Sequence, residues 1–438
     1  SAVIMLPMVK TQRRWMVLLA VMSGLIFGLW RGGVGQSGLD YYEQLTGSKV
    51  EISGRITDDP DIDKRNRTVL RLTDIHMGSS SLPGNVWVTT NKSDVIRRSD
   101  IVTVSGKMSA GFGSFSGAIY QADIVKVERP VPGDVAVGVR DWFAERVKLH
   151  VPDPEASLGL GYLLGLRRSL PAGLVEALQV AGLTHIIVAS GYNLTILVRL
   201  SRRLFVRVSK YLAMLSSTAM ILSFMAVTGM SPSMSRAGLV AGLSLAAWYY
   251  GRKVHPLVLL PLAAAVTLII NPSFGWSDLG WQLSFGAFAG VILLAPLLQR
   301  YFFGDKPPGN IRQILGETIS AQLMTLPILV MAFGVMSNVA VMANIMILPL
   351  VPLAMLLVFL TGILATIPVV GMLIAYPTTW LLSYMVWVAE WTSSLSWAQM
   401  EVEIGWWVAV AFYILLGLAI WYMKRATGYR LGDSSIVE

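Results

Sequence analysis

Residues 183–198 read LTHIIVASGYNLTILV. The run is apolar enough for a membrane helix, yet it carries His185, Ser190, Gly191 and Asn193. It leads into a basic cluster of Arg199, Arg202, Arg203, Arg207 and Lys210. Polar side chains at membrane depth are expensive unless they face protein, water or a passing substrate. The surrounding sequence decides whether a membrane is involved.

Of the 438 residues, 54% are hydrophobic and only 14% are charged, and the mean hydropathy is +0.60. That balance excludes an ordinary soluble enzyme and implies a polytopic membrane protein. The lack of Cys excludes disulfides, zinc–thiolate sites and iron–sulfur clusters. A formal net charge of +9 suits a nucleic-acid partner. Lys and Arg also collect in cytoplasmic loops, however, and this topological account takes precedence.

Residues 15–30, WMVLLAVMSGLIFGLW, follow Lys10, Arg13 and Arg14 and run into Arg31 rather than a small-residue cleavage site. A retained helix with a cytoplasmic N-terminus is expected. Further helices are expected near 184–199, 211–230, 236–250, 254–270, 279–298, 314–335, 338–366, 369–396 and 405–423, about ten in all, some short or broken. With the first helix running outward, the loops Arg199–Lys210, Arg252–Lys253, Arg300–Arg312 and Lys424–Arg430 all fall inside. The connections Thr228–Ser235, Asn271–Ser277 and Gln399–Gly405 carry almost no Lys or Arg and fall outside, as the positive-inside rule requires.

Between Lys49 and Arg129 the period changes to two. The segments 50–56, 68–77, 85–90, 100–108 and 118–128 alternate apolar and polar residues between Gly, Pro, Asn and Asp turns. Five short strands in this length suit a small β-barrel; an OB-fold is the natural candidate and a barrel of another topology fits equally. OB-folds hold single strands with a basic groove and aromatic platforms. Lys64, Arg65, Arg67, Arg71, Lys92, Arg97 and Arg98 are the candidate basic contacts, with Trp87, Phe112, Phe115 and Tyr120 for stacking. Asp58, Asp59, Asp61 and Asp63 leave the region close to neutral, so a purely structural role for these residues stays open.

The expected organisation is an N-terminal helix and connector over 1–39, an extracytoplasmic OB-like barrel over 40–130, amphipathic interfacial helices over 131–183, a transmembrane core over 184–424 and a cytoplasmic tail over 425–438. This is a polytopic α-helical membrane protein with an inserted small all-β domain.

Beginning at His185, the opening stretch resembles the HLLAISGLHV signature of the ComEC-type competence family, inner-membrane channels for single-stranded DNA, with Asn193 standing where the family has a second His. LLGLRRSLPAGLVEALQVAGLTH (163–185) resembles the family segment before that signature, and SPSMSRAGLVAG (231–242) resembles its SPSVLRA helix entry. DLGWQLSF (278–285) and the paired Pro and Asn stretch of 321–353 resemble two further blocks. The resemblance implies a strand-conducting core and an OB-like domain outside the membrane.

A strand carrying one charge per nucleotide needs water, hydrogen-bond donors and helix N-termini along its way. The candidate path residues are His185, Ser190, Gly191, Asn193, Arg236, Asp278, Gln282, Ser284, Gln322, Asn338 and Asn344, with Arg167 and Arg168 at the entrance. Taken singly, each Ser, Asn or Gln serves equally as glue between membrane helices. His185 is one of four scattered His, the others being His76, His150 and His255, so no metal site is expected.

The sequence lacks the HxHxDH metal cluster found in many family members and lacks a GxxxxGK[ST] nucleotide loop. Neither nuclease activity nor a cofactor is expected. A potential negative inside opposes DNA entry by about 2.3 kcal/mol per charge per 100 mV. The expected partners are therefore single-stranded DNA, plasma-membrane lipids, a DNA-receptor protein outside, a cytoplasmic motor or single-strand-binding protein, and a separate nuclease. The expected function is translocation of transforming single-stranded DNA across the plasma membrane. The alternatives are a small-solute or lipid-linked transporter with a ligand-binding β-domain, and a membrane scaffold of an uptake complex.

Overall fold

A computed structural model describes residues 13–36, 40–63, 65, 67–91, 96–131, 133–166, 169–187, 190–229, 232–252, 256–304, 306 and 308–429. The chain forms two compact units, Ser1–Val131 with Ala265–Asp278, and Pro132–Ala264 with Leu279–Glu438.

The first unit contains helix α1 (Arg13–Gln36) and a barrel of five long strands, with the short strands Asp61–Ile62 and Ser80–Leu82 both paired to the second of them. Its strands are β1 (Lys49–Ile56), β2 (Thr68–Met77), β3 (Val86–Thr90), β4 (Ile101–Ala110) and β5 (Gly117–Glu128). β1 pairs antiparallel with both β2 and β4, β2 with β3, and β4 with β5, while β3 runs parallel to β5. The circuit β1–β2–β3–β5–β4–β1 closes and leaves no long free edge. Alternation turns Ile52, Leu70, Leu72, Val88, Val104 and Ile119 into one apolar core. Gly54 sits at a bulge in β1, where a Cβ would lie 2.9 Å from Ile75 Cδ1. Only glycine lets β1 bend there to reach both neighbours.

The second unit is helical. α2 (Val135–Lys148), α3 (Glu155–Leu164) and α4 (Ala172–Val180) precede α5 (Gly191–Phe205), α6 (Lys210–Thr228) and α7 (Pro232–Tyr249). α8 (Pro256–Ile270) straddles the division between units. α9 (Leu279–Phe303), α10 (Asn310–Phe333), α11 (Ala340–Leu364), α12 (Pro368–Ser393) and α13 (Trp406–Thr427) follow. Among the described residues, α6 and α9–α13 are long and apolar enough to cross a membrane. The chain is a polytopic helical membrane protein with a small β domain. The other four expected spans, α1, α5, α7 and α8, are not in that set; α5 and α8 have 15 residues each, about 22 Å.

The segment expected at 184–199 is not one helix. It is broken into Thr184–Ile187 and α5. Residues 155–164, grouped by their sequence with amphipathic interfacial helices, are instead buried along α3 from Ala156 to Leu163. Leu158, Leu160 and Tyr162 pack among Val351, Val358, Leu382 and Met385 of α11 and α12. A Cβ on Gly159 would sit 2.6 Å from Val358 Cγ2, so the glycine lets α3 seat against α11. Antiparallel strands β6 (Val335–Ser337) and β7 (Gln399–Glu401) join the loop after α10 to the loop after α12, which puts both loops at one end of the bundle.

α9 passes through a π-helical turn at Gly290–Leu294. A Cβ on Gly290 would lie 2.4 Å from the Ser320 carbonyl oxygen, so the α9 and α10 backbones meet there. Gly290→Val should force them apart and lower stability by about 1–3 kcal/mol, the usual cost of overpacking. Thermal aggregation of the detergent-solubilised protein measures this. Gly242→Val, at a site with nothing within 4 Å, is the control expected to leave the midpoint unchanged.

Candidate functional site

Two helix breaks and the side chains that close them form the centre of the helical unit. The first break ends at Ser190, whose backbone is extended (φ −113, ψ 160) and whose hydroxyl accepts the Asn193 amide at 3.4 Å. This N-cap starts α5 with its first amides oriented back toward the break. Asn193 is fully buried. Its Nδ2 donates to the Tyr162 carbonyl at 3.0 Å and to the Ile186 carbonyl at 3.4 Å. The side chain therefore ties the start of α5 to the last turn of α3 and to the helix before the break. Read from sequence as a donor to a passing strand, it serves instead as a staple between three chain segments.

The second break lies in α11, where Leu348–Leu350 forms a 3-10 turn. Pro349 and Pro352 have no amide to donate, so the regular ladder cannot continue. The Leu348 carbonyl accepts from the Val351 amide and, at 3.4 Å, from the Tyr192 hydroxyl. Tyr192 thus joins one break to the other. It was not among the candidates from sequence, and its position between Gly191 and Asn193 in the polar motif is the signal that marks it.

The remaining candidates separate by burial. The His185 Nδ1–H donates to the Gly182 carbonyl at 3.1 Å. Gly182 itself (φ +70) packs against Ala340, and the Ser337 hydroxyl donates to the Val180 carbonyl at 2.6 Å. Ser337 also lines a cleft of about 260 Å³ with Gln322, Asn338 and the apolar Ile319, Leu323 and Leu326. Gln322 Nε2 reaches the Ser337 carbonyl at 3.5 Å, and Asn338 Nδ2 donates to the Trp397 carbonyl at 2.9 Å. The fold therefore brings Gln322 and Asn338 together and hangs the His185 turn beside them through Ser337.

Arg236 is buried near the N-terminal end of α7, with its guanidinium 5.1 Å from the Phe285 ring of α9 and Nη1 without a hydrogen-bond partner. Asn344 is buried in α11, and its Oδ1 also lacks a partner. Gln282 and Ser284 are half-buried on α9, and Gly191 packs against Ala237 of α7. Asp278 belongs to the first unit, where its amide closes the short helix Phe274–Ser277. Arg167 and Arg168 lie outside the described residues.

On the barrel, Trp87, Phe112 and Phe115 form one aromatic cluster, with ring centroids 5.1–5.6 Å apart. Arg71 stands 5.6 Å over Trp87 and 3.4 Å from Asp58. Arg67 is bound to Asp63 at 2.6 Å. Hydrogen bonds from the Arg67 amide and guanidinium and from the Arg65 amide hold the Asp63 carboxyl below the ordinary carboxylate range. Arg65 and Arg97 are exposed. Arg98, expected among the DNA contacts, is only 6% exposed in the turn that leads into β4. Lys64 and Lys92 lie outside the described residues. Among the described residues no group of His, Asp and Glu is placed to hold a metal.

Comparison with known proteins places these features. The family described as "Competence protein" matches residues 162–426, more than half of the chain. ComE operon protein 3 of Bacillus subtilis (strain 168) is similar at 26% identity over 178 residues, 40% of this chain and 22% of that protein. The matched part is thus well under two thirds of the relative's length. No solved structure matches.

Asn193→Leu strands the Tyr162 and Ile186 carbonyls without their donor and should destabilise the protein by about 1–3 kcal/mol. A lower thermal midpoint in detergent, together with lower abundance in the membrane, is the expected result. Normal stability would mean that the staple is dispensable.

Proposed function

Because the chain belongs to the competence protein family, we propose that it conducts single-stranded transforming DNA across the plasma membrane. The observation that carries this reading is the coincidence of the family match with the two helix breaks and the cleft that holds Gln322 and Asn338. Broken helices can turn backbone groups toward a passage, and Gln322, Asn338 and the unpartnered Nη1 of Arg236 add the donors that a charged strand needs in place of bulk water. A pore must also release what it binds, so scattered amides with a single Arg suit conduction better than a dense basic lining.

The orientation we propose has both termini in the cytoplasm and residues 40–130 outside. The charge asymmetry of the loops supports it. The β6–β7 pairing agrees, because it joins two loops assigned to the same face. Arg31 near the end of α1 donates to the Ile269 and Ile270 carbonyls at the end of α8, as two helices running in the same direction allow.

We read the barrel as an OB-fold, supported by its closed circuit and its one parallel pair, β3 with β5. The aromatic cluster at Trp87, with Arg71 over the Trp87 ring and Arg65 and Arg97 exposed on the same domain, is our candidate for first contact with the strand. The proposed partners are single-stranded DNA, a receptor outside, a cytoplasmic motor or single-strand-binding protein, and a separate nuclease.

Loss of the gene should abolish DNA uptake while leaving DNA bound at the cell surface. Arg236→Met or Gln322→Leu, expressed in its place at normal membrane abundance, should cut uptake about tenfold or more, the equivalent of one lost charge-assisted hydrogen bond. Uptake at the parental rate in both variants would exclude this core as the path.

The solubilised protein should also bind single strands with marked salt dependence. Each neutralised phosphate adds about −0.7 to the slope of log affinity against log salt. Arg65→Glu combined with Arg97→Glu should flatten that slope by the same increment for each phosphate left without its cation. Binding indifferent to salt would remove the barrel from the path.

A further inference from the structure

Apart from the bond from Tyr192 to Leu348, the polar face of α5 has no role in the site described above. Tyr192, Thr195, Arg199 and Arg203 follow one another at intervals of three, four and four residues, so they share one face of the helix. All four are exposed. The opposite side of α5 is buried through Leu194 and Ser201. Leu200 and Leu204 are exposed about a quarter-turn away, 40% and 62% respectively. α5 therefore has two separate exposed surfaces, one apolar as lipid requires and one that is entirely polar.

The depth of that polar surface makes it informative. Tyr192 is pinned to Leu348, which lies eight residues, about 12 Å, inside α11 from Ala340. Arg199 is seven residues, about 10 Å, further along α5. Among the described residues neither Arg199 nor Arg203 lies within ion-pair distance of a carboxylate. The helix runs on to Phe205, so Arg199 and Arg203, counted from sequence in the loop after it, lie on the helix itself, where two unpaired guanidiniums cannot face acyl chains at an acceptable cost.

α10 contributes a matching surface. Glu317, half-buried within that span, accepts from Gln313 Nε2 at 2.9 Å and lies within electrostatic reach of the Tyr192 hydroxyl, as does Arg199. A carboxylate at this depth again requires water or a polar partner.

We propose that the Tyr192–Arg203 face of α5, with Gln313 and Glu317 of α10, is the wall of a water-filled passage that holds phosphodiester anions on the α5 C-terminal side of the two helix breaks. The inference rests on the conduit reading above and gives it a second half, which the sequence motifs do not mark. Two Arg against one Glu leave the wall positive, and the 41% exposed Tyr192 ring offers a base a stacking surface.

The natural absence of Cys makes the test direct. Thr195→Cys and Arg203→Cys are compared with Leu215→Cys on the exposed apolar side of α6, using a membrane-impermeant maleimide on broken membranes open at both faces. Transfer into lipid raises a thiol pKa by more than about one unit, so the two α5 positions should react at least about tenfold faster than Leu215→Cys. A single-stranded oligonucleotide should slow them, and not Leu215→Cys. Labelling of both α5 positions at the Leu215→Cys rate, or labelling that the oligonucleotide leaves unchanged, overturns the passage. Fast, oligonucleotide-protected labelling in a chain whose loss leaves uptake intact would support this inference and sink the proposed function instead. Slow labelling in a chain that is essential for uptake would do the reverse.

Discussion

In a bilayer, a backbone amide or carbonyl that leaves a helix has no water to turn to, and every break in a spanning helix must be closed by protein. That constraint organises the helical unit. Ser190 caps the start of α5, Asn193 satisfies carbonyls at the end of α3 and before the break, and Tyr192 reaches the carbonyl at the proline-induced break in α11. Three side chains within four residues hold two discontinuous helices in register. The buried α3, seated against α11 and α12 through Gly159, is the scaffold on which they close.

A break closed on one side can remain open on the other, and this lets a tightly packed bundle present polar groups to a substrate. The Gln322–Ser337–Asn338 cleft and the exposed polar face of α5 are where this bundle does so. Elsewhere the unit is packed as membrane helices generally are, with small residues such as Gly290 admitting a neighbouring backbone and hydroxyls bonding within their own helix. Polar residues thus divide into those that hold the bundle together and those it leaves exposed, and residue type alone does not separate the two.

The barrel follows a different solvent's rules. Its acidic residues neutralise several of its cations: Asp63 holds Arg67, Asp58 lies near Arg71 and Asp100 holds Arg129. The groups left for a polyanion are fewer than the count of Lys and Arg suggests, and the exposed Arg65 and Arg97 matter more for that reason. Few free cations together with an aromatic cluster suit weak rather than tight capture of a polyanion.

Period and charge by themselves determined the membrane class, six of the ten expected spans and the five long strands. Alternation every two residues and apolar runs near twenty are local consequences of burial on one face or on all. The polar motif at His185–Asn193 was equally legible as unusual. Only the tertiary structure decided what its members do. Asn193 and Arg98 looked like available donors and are buried; Tyr192 looked like an ordinary aromatic and bridges two breaks; α3 looked interfacial and lies in the core. Glu317 and the Arg199 face acquire meaning only from the element opposite them. Hydropathy sums over a segment, whereas satisfaction of a polar group depends on one partner at about 3 Å, supplied here by residues up to 239 positions away.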